Sequence, residues 1–357
     1  MTAVLTPPRE RATGWLAAVD DELESFFTRA IERADVHGEA YRRLWSAARE
    51  AAQGGKRVRP RLVLAVHHAF EGRHHAAAVT TAAAFELLHT AFLMHDDVID
   101  HDDVRRGVPN VSGRFAAEAS GRGATADRAR EYGEAAAILA GDLLISGAHR
   151  MIAGLDLPVG RREALLDLVD DCVFLAAAGE HADVRFALGE TPSADDIVAM
   201  IENKTASYSF SAPLQAGAIL AGAPQQAIDG LARVGGHLGV AFQLRDDVLG
   251  VYGEPQVTGK STMGDLREGK ETLLIAYARA DASWSPVAAN FGRPDLDEDA
   301  ADRLRAAITA SGAHDQVEAL ITARCGEAVE LIERLGLPPE LAAELTTVAQ
   351  DCGARDR

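Results

Sequence analysis

The chain of 357 residues has little lysine, little cysteine and no surplus of positive charge. Its three cysteines, Cys172, Cys325 and Cys352, are widely spaced and form no CxxC pair. Neither a disulfide framework nor a cysteine zinc site is indicated, and free thiols are expected. A net charge of −18 argues against nucleic acid or an anionic membrane as the main partner, because an acidic surface attracts neither. Any anionic ligand then needs a local cationic site or a bound metal. No window approaches the roughly 20 apolar residues that span a bilayer. The opening MTAVLTPPRERATGW has no signal-peptide core. The expectation is a soluble, cytoplasmic protein with no integral membrane segment. Also missing are an internal repeat, a Walker GxxxxGK[ST] loop and an EF-hand DxDxDG run.

What is present is helical. Apolar residues, 47% of the chain if cysteine is counted, recur mostly at helix spacing, as in GWLAAVDDELESFFTRAIERA. Thr191-Pro192-Ser193-Ala194-Asp195-Asp196 reads as a helix start with an acidic first turn, and Gly336-Leu337-Pro338-Pro339 as another break. The length alone allows two domains. The motifs described below run from residue 54 to 272, which favours one all-α unit around one cavity. A disordered tail is expected over 1–13 and a single domain over 14–357. Loops are expected over 105–114, 119–128, 251–269 and 281–297, where glycine, proline, serine and charge accumulate.

The stretch HDDVIDHDDVRRG, from His95 to Gly107, places five aspartates and two arginines behind the apolar run ELLHTAFLM. On a helix Asp96 and Asp100 share a face, with His89 two turns upstream. Carboxylates at this spacing suit Mg²⁺, a hard ion that retains waters and is completed by substrate phosphate. Taken alone, the pair is equally a solvated helix end. Arg105 and Arg106 then follow, and guanidinium forks bind phosphate oxygens in pairs. Carboxylates beside arginines describe a site for a pyrophosphate-like group.

A second acidic pair, Asp246 and Asp247 in GVAFQLRDDVLGVYG, ends another apolar helical run and is preceded by Gln243. The four lysines, set against 32 arginines, each lie in a distinctive context: Lys56 in GGKRVRP, Lys204 in NKTASY, Lys260 in VTGK and Lys270 in LREGKET. A lysine offers a compact ammonium suited to a phosphate in a crowded site. GGKRVRP joins Lys56 and Arg59 behind two glycines, a loop-to-helix entry where backbone amides and cations meet an anion. In NKTASY, Lys204, Thr205 and Tyr208 share a face, and the small residues between them suit a backbone irregularity.

In this order, GGKRVRP, ELLHTAFLMHDDVIDHDDVRRG, KT, FQLRDD and GKSTMGDLREGK resemble the trans-polyprenyl diphosphate synthases, over roughly residues 40–280. The resemblance implies an isoprenoid-synthase-type helical bundle around a central cavity, a homodimer, and Mg²⁺-dependent head-to-tail condensation of isopentenyl diphosphate with an allylic diphosphate. Carried over residue by residue, Asp96, Asp100 and Asp246 would ligate Mg²⁺, three ions per site, with Asp97 supporting. Arg105, Lys204 and Lys260 would hold the allylic diphosphate, with Thr205 and Gln243 nearby. Lys56, Arg59, His89 and Arg106 would hold isopentenyl diphosphate, and Lys270 would belong to a lid. Family logic places chain-length control at Ala91 and Phe92, four to five residues before Asp96. With alanine at the fifth position, a C20 product, geranylgeranyl diphosphate, is favoured over C15 farnesyl diphosphate. The second motif departs from DDxxD, with Gly250 in the third acidic place. A class I terpene cyclase or a catalytically silent partner subunit is the competing reading. The cyclase lacks a use for GGKRVRP, and the silent subunit would be expected to lose aspartates or arginines that stand here.

Overall fold

The computed structural model describes residues 8–253 and 262–354, and these are almost entirely helical. The chain divides into two compact units: residues up to Val169 with Gln215–Ala223, and Asp170–Leu214 with Pro224 onward. Helix α1, Pro8–Ala34, opens the first. The chain is helical from Pro8, a residue favoured in a first turn, so helix stands over 8–13 where a tail was expected, and residues 1–7 lie outside the described residues.

The first unit is built on α4, His75–Ile99, which packs against α1, α3 (Val58–Ala69) and α6 (Ala126–Ala153). The stripe Ala84, Leu87, Leu88, Ala91 and Met94 recurs at three and four residues and is almost fully buried. Gly141 on α6 makes room for the His95 ring of α4, which a Cβ there would overlap. By length and hydropathy α4 and α6 both pass as possible membrane spans, contrary to the sequence expectation. The apolar window of α4 is 72% buried within the protein, and the helix carries buried Thr81, Glu86, Thr90 and Asp97. It is the core helix of this unit.

The segment 105–114, expected as a loop, is ordered. Val104–Arg105 pairs antiparallel with Val108–Pro109, joined by Arg106 and Gly107, both at positive φ (55° and 77°), as a tight two-residue hairpin requires. Asn110 then caps α5, Val111–Gly121, its side chain accepting from the Gly113 amide at 2.8 Å. The loop expected over 119–128 shrinks to the four residues between α5 and α6.

Near the end of α3, His67 is 2% exposed and its Nε2 has no hydrogen-bond partner among the described residues. Burial, aided by neighbouring His75, His68 and His74, pushes its pKa down to about 4. Its folded value lies below the unfolded one, so its stabilising effect is complete above about pH 6.5 and is lost as pH falls towards 4. The loss amounts to about 3 kcal/mol. Urea denaturation at pH 7.5 and 4.5 should therefore show His67→Gln losing less stability on acidification than the native chain. Equal losses would contradict this.

In the second unit α10, Gln225–Tyr252, is the central helix. Leu231, Val234, Leu238, Ala241, Leu244 and Val248 form its buried stripe. It packs on the helix Ala313–Leu335 and on the segment Glu202–Ser211, which is a π-helix. Cβ atoms on Gly235 and Gly239 would lie 2.5 Å from the Cα atoms of Ser211 and Ala206, so these glycines set the closeness of α10 and the π-helix. The expected loop 251–269 contains the end of α10 and a short helix, Gly264–Glu268.

Candidate active site

In the first unit, the GGKRVRP segment turns through positive φ at Gly54 (73°), Gly55 (84°) and Arg57 (49°) before α3 begins. Arg57 fixes this entry. It donates to Glu86 Oε1 on α4 at 2.8 Å, to the Ala52 carbonyl at 2.9 Å and to Asp20 Oδ1 at 3.0 Å. Lys56 is left exposed and Arg59 half-buried, on either side of the anchored residue. Arg106, from the hairpin turn, reaches back over the loop, its Nη1 3.5 Å from the Gln53 carbonyl. A Cβ on Gly55 would come within 3.3 Å of Arg106 Nη2, so the guanidinium lies against the glycines.

His89, half-buried on α4, faces the field of Arg59, Arg105, Arg106 and Arg57. Burial first, and then these four cations, hold its pKa well below the usual histidine range. A neutral imidazole among guanidinium groups is a place for an anion, with a hydrogen-bonding group that adds no charge. Arg59, His89 and Arg106, expected together from the sequence, thus share one corner of this unit, and Lys56 adjoins it only through Gly55, which lies against Arg106.

Beside it are the carboxylates. Asp96 and Asp100 are one turn apart at the end of α4, the first half-buried and the second exposed. Arg105 clamps the buried Asp97 through Nε at 2.7 Å and Nη2 at 2.6 Å, with Asp96 Oδ2 at 3.7 Å. Burial pushes the Asp97 carboxyl up to about 6, against the pull of Arg105. Asp97 therefore acts on the guanidinium, while the Asp96 side chain is 25% exposed. Ala91 is fully buried and Phe92 half-buried one turn below Asp96.

In the second unit, Lys204 lies in the π-helix, which supplies the backbone irregularity anticipated in NKTASY. Its Nζ is 2.7 Å from Asp183 Oδ2 and 2.8 Å from Glu180 Oε2, both on α7 (Val159–Ala187). A Cβ on Gly179 would overlap the Lys204 backbone nitrogen, so glycine lets α7 lie directly on the lysine's turn. One residue on, Thr205 donates to Gln243 Oε1 at 3.0 Å, and Gln243 Nε2 donates to Asp247 Oδ1 at 2.9 Å. Burial, opposed by Lys270, pushes the Asp247 carboxyl up to about 7. Asp246 is half-buried beside it. Burial acts to lower the Lys270 pKa, but Asp265, Asp247 and Asp183 outweigh it and the ammonium is retained. Lys260 falls in 254–261, outside the described residues.

Three residues of this second cluster were not anticipated: Glu180, Asp183 and Asp265. For the first two the signal was available, since GEHAD behind a glycine puts two acids three apart on one helix face.

Among the described residues no three histidine, cysteine, aspartate or glutamate groups converge to hold an ion unaided. Mg²⁺ takes one or two carboxylates and completes its shell with water and phosphate. Asp96 and Asp100 offer hard oxygens at helix spacing beside cations able to take the phosphate.

The Polyprenyl synthetase family model matches residues 42–308. A (2E,6E)-farnesyl diphosphate synthase of Mycobacterium tuberculosis is 32% identical over 304 residues, covering 83% of this chain and 78% of that one. A geranylfarnesyl diphosphate synthase of Aeropyrum pernix is 33% identical over 302 residues, covering 84% and 89%. Among solved structures, a geranylgeranyl pyrophosphate synthase from Corynebacterium glutamicum, complexed with isoprenyl diphosphate and magnesium, superposes with a TM-score of 0.88 at 29% identity, covering 96% and 98%. With the all-α fold and the two clusters, these matches establish that the chain belongs to the polyprenyl synthetase family and is a short-chain trans-prenyltransferase.

Proposed function

We propose that the chain condenses isopentenyl diphosphate with allylic diphosphates to make geranylgeranyl diphosphate, with Mg²⁺ held by Asp96 and Asp100 and by Asp246. The observation that carries the substrate reading is the corner of Arg59, Arg106 and neutral His89, next to a separate set of carboxylates on the same helix. That corner suits isopentenyl diphosphate. Arg105, Lys204 and Lys260 take the allylic diphosphate, Asp97 and Thr205 orienting through Arg105 and Gln243.

Breaking the allylic C–O bond leaves its electron pair on the diphosphate, and Mg²⁺, which Asp96, Asp100 and Asp246 would hold, would supply Lewis-acid neutralisation of that charge. Arg105 and Lys204 stabilise the same developing charge electrostatically. The double bond of isopentenyl diphosphate attacks the cation, forming the new C–C bond, and a proton passes to the departing diphosphate. The buried apolar stripe of α4 keeps water from the cation. A homodimer belongs to this reading, supported by Ile138 and Leu139, which stand 44% and 55% exposed on α6.

Ala91 supports the C20 product. It is small, fully buried, and lies about one turn of α4 before Asp96. Product analysis from isopentenyl diphosphate and a C5 primer is expected to give C20 from the native chain and C15 or shorter from Ala91→Phe. A C15 product from the native chain would instead make Phe92 the gate. Unchanged product length in a folded Ala91→Phe variant would remove this helix turn from length control.

A further inference from the structure

At the start of α4 the first unit holds a cavity of about 940 Å³ between α1, α2 (Glu39–Ala51), α4 and α6. Roughly 30 Å of α4 separates its first turn from Asp96. Four arginines line the cavity: Arg29 and Arg33, one turn apart on α1, Arg73 in the loop before α4, and Arg150 near the end of α6. All four are exposed, and among the described residues their side chains make no hydrogen bond or ion pair. On α2, by contrast, Arg42, Arg43 and Arg49 pair with Glu39, Glu118 and Glu24. Two carboxylates, Glu22 and Asp156, also line the cavity, and among the described residues neither pairs with the four arginines.

In a chain of net charge −18, four unpaired guanidiniums around one cavity are a local cationic exception. The start of α4 adds to it. His74 at its N-cap forms no side-chain cap, the first turn carries no acid, and His75, Ala76 and Ala77 line the cavity. Open amides and the positive end of the helix dipole favour an anion there. The loop that carries Arg73 is held in place. The Gly72 amide donates to the His67 carbonyl at 2.9 Å, and a Cβ on Gly72 would overlap the His67 ring. The other lining groups are apolar: Ala30, Trp45, Ala77 and Met151 are buried. Phe26 packs edge-on against Trp45, ring centroids 6.1 Å apart, and Gly147 makes room for its ring. Cations thus stand at the rim and apolar groups at the floor.

We infer that this cavity is a second anion site, which takes an amphiphilic phosphate with its head on the arginine rim and its hydrocarbon tail on the floor. Guanidinium forks bind phosphate oxygens in pairs, and the cavity has the size of a small-molecule site. Two sources offer that chemistry: a free phosphorylated amphiphile and the headgroup of an anionic phospholipid.

The test uses the intact chain in EDTA, so that no Mg²⁺ supports diphosphate binding at the carboxylates. Calorimetric titration with dodecyl phosphate, kept below its micellar concentration, is expected to show binding by the native chain. The double variant Arg33→Gln with Arg150→Gln should weaken it about 10-fold or more, through loss of charge-assisted hydrogen bonds. Arg106→Gln, in the catalytic corner, should leave it unchanged. Both rim arginines are exposed and unpaired among the described residues, so the thermal melt of the double variant should match the native one. Inorganic phosphate should bind at least about 10-fold more weakly than dodecyl phosphate, because it leaves the apolar floor unfilled. Sedimentation with phosphatidylglycerol vesicles separates the two sources. Co-sedimentation that is lost in the double variant identifies the lipid headgroup, and tight dodecyl phosphate binding without co-sedimentation identifies the free amphiphile.

Equal dodecyl phosphate affinity in the folded double variant would overturn the inference, and so would binding lost in Arg106→Gln but kept in the double variant. Inorganic phosphate binding as tightly as dodecyl phosphate, or no dodecyl phosphate binding by the native chain, would overturn it as well.

Discussion

Asp96→Ala is expected to lower kcat by about 10²–10³-fold, as loss of a main electrostatic stabiliser does, while leaving the melting temperature close to native. The two halves of this expectation come from different features of one helix end. Asp96 is half-buried with its oxygen 3.7 Å from Arg105, so it carries little of the fold. Asp97, the buried neighbour, keeps both short contacts to Arg105 in the variant, and the guanidinium stays in place. What disappears is the carboxylate proposed to hold Mg²⁺. Steady-state kinetics beside a thermal melt checks both halves. A variant that retains activity, or one that loses activity only by unfolding, would remove Asp96 from the proposed metal set.

Arg57→Met is expected to cost about 3–5 kcal/mol of stability, the range for stripping one partner from a buried ion pair. Arg57 and Glu86 are 10% and 7% exposed, and their contact is 2.8 Å. Glu86 Oε2 is already buried without a hydrogen-bond partner among the described residues, so removing the guanidinium strands a charge that water cannot reach. The second partner, Asp20, is 55% exposed and adds little. Because Arg57 also closes the left-handed turn before α3, the variant should raise the KM for isopentenyl diphosphate by loosening Lys56 and Arg59. Pairing Arg57→Met with Glu86→Gln should restore much of the stability, because the stranded charge is gone, but not the KM. Chemical denaturation of the two single variants and the pair provides the cycle. A cost below about 1 kcal/mol for Arg57→Met would mean that water reaches Glu86 and the pair does not anchor the loop.

The all-α architecture was legible because helical periodicity is a local property. The first-unit cluster was legible too, since Asp96, Asp100, Arg105 and Arg106 lie within one short stretch whose spacing already implies a shared face. The NKTASY irregularity was readable from small residues around Lys204, and the chain answers it with a π-helix. Other features depend on segments far apart in the chain. Glu86 is invisible as the partner of Arg57 because only the fold brings α4 against the turn before α3. The ordered hairpin at 104–109 was hidden by its own chemistry: arginine, glycine and proline look like loop but also build a two-residue turn. The starting point of α1 at Pro8 was masked by prolines that break helices everywhere except in their first turn.

The central claim is Mg²⁺-dependent carbon–carbon bond formation between two diphosphate substrates. Its most direct measurement is incubation of the purified chain with isopentenyl diphosphate and each allylic primer (C5, C10 and C15), with Mg²⁺ or with EDTA, followed by separation of products by length. Elongation with Mg²⁺, ending at C20 and abolished by EDTA, is the predicted result. Folded protein that elongates no primer, or that releases cyclic hydrocarbons from an allylic diphosphate without consuming isopentenyl diphosphate, would contradict it.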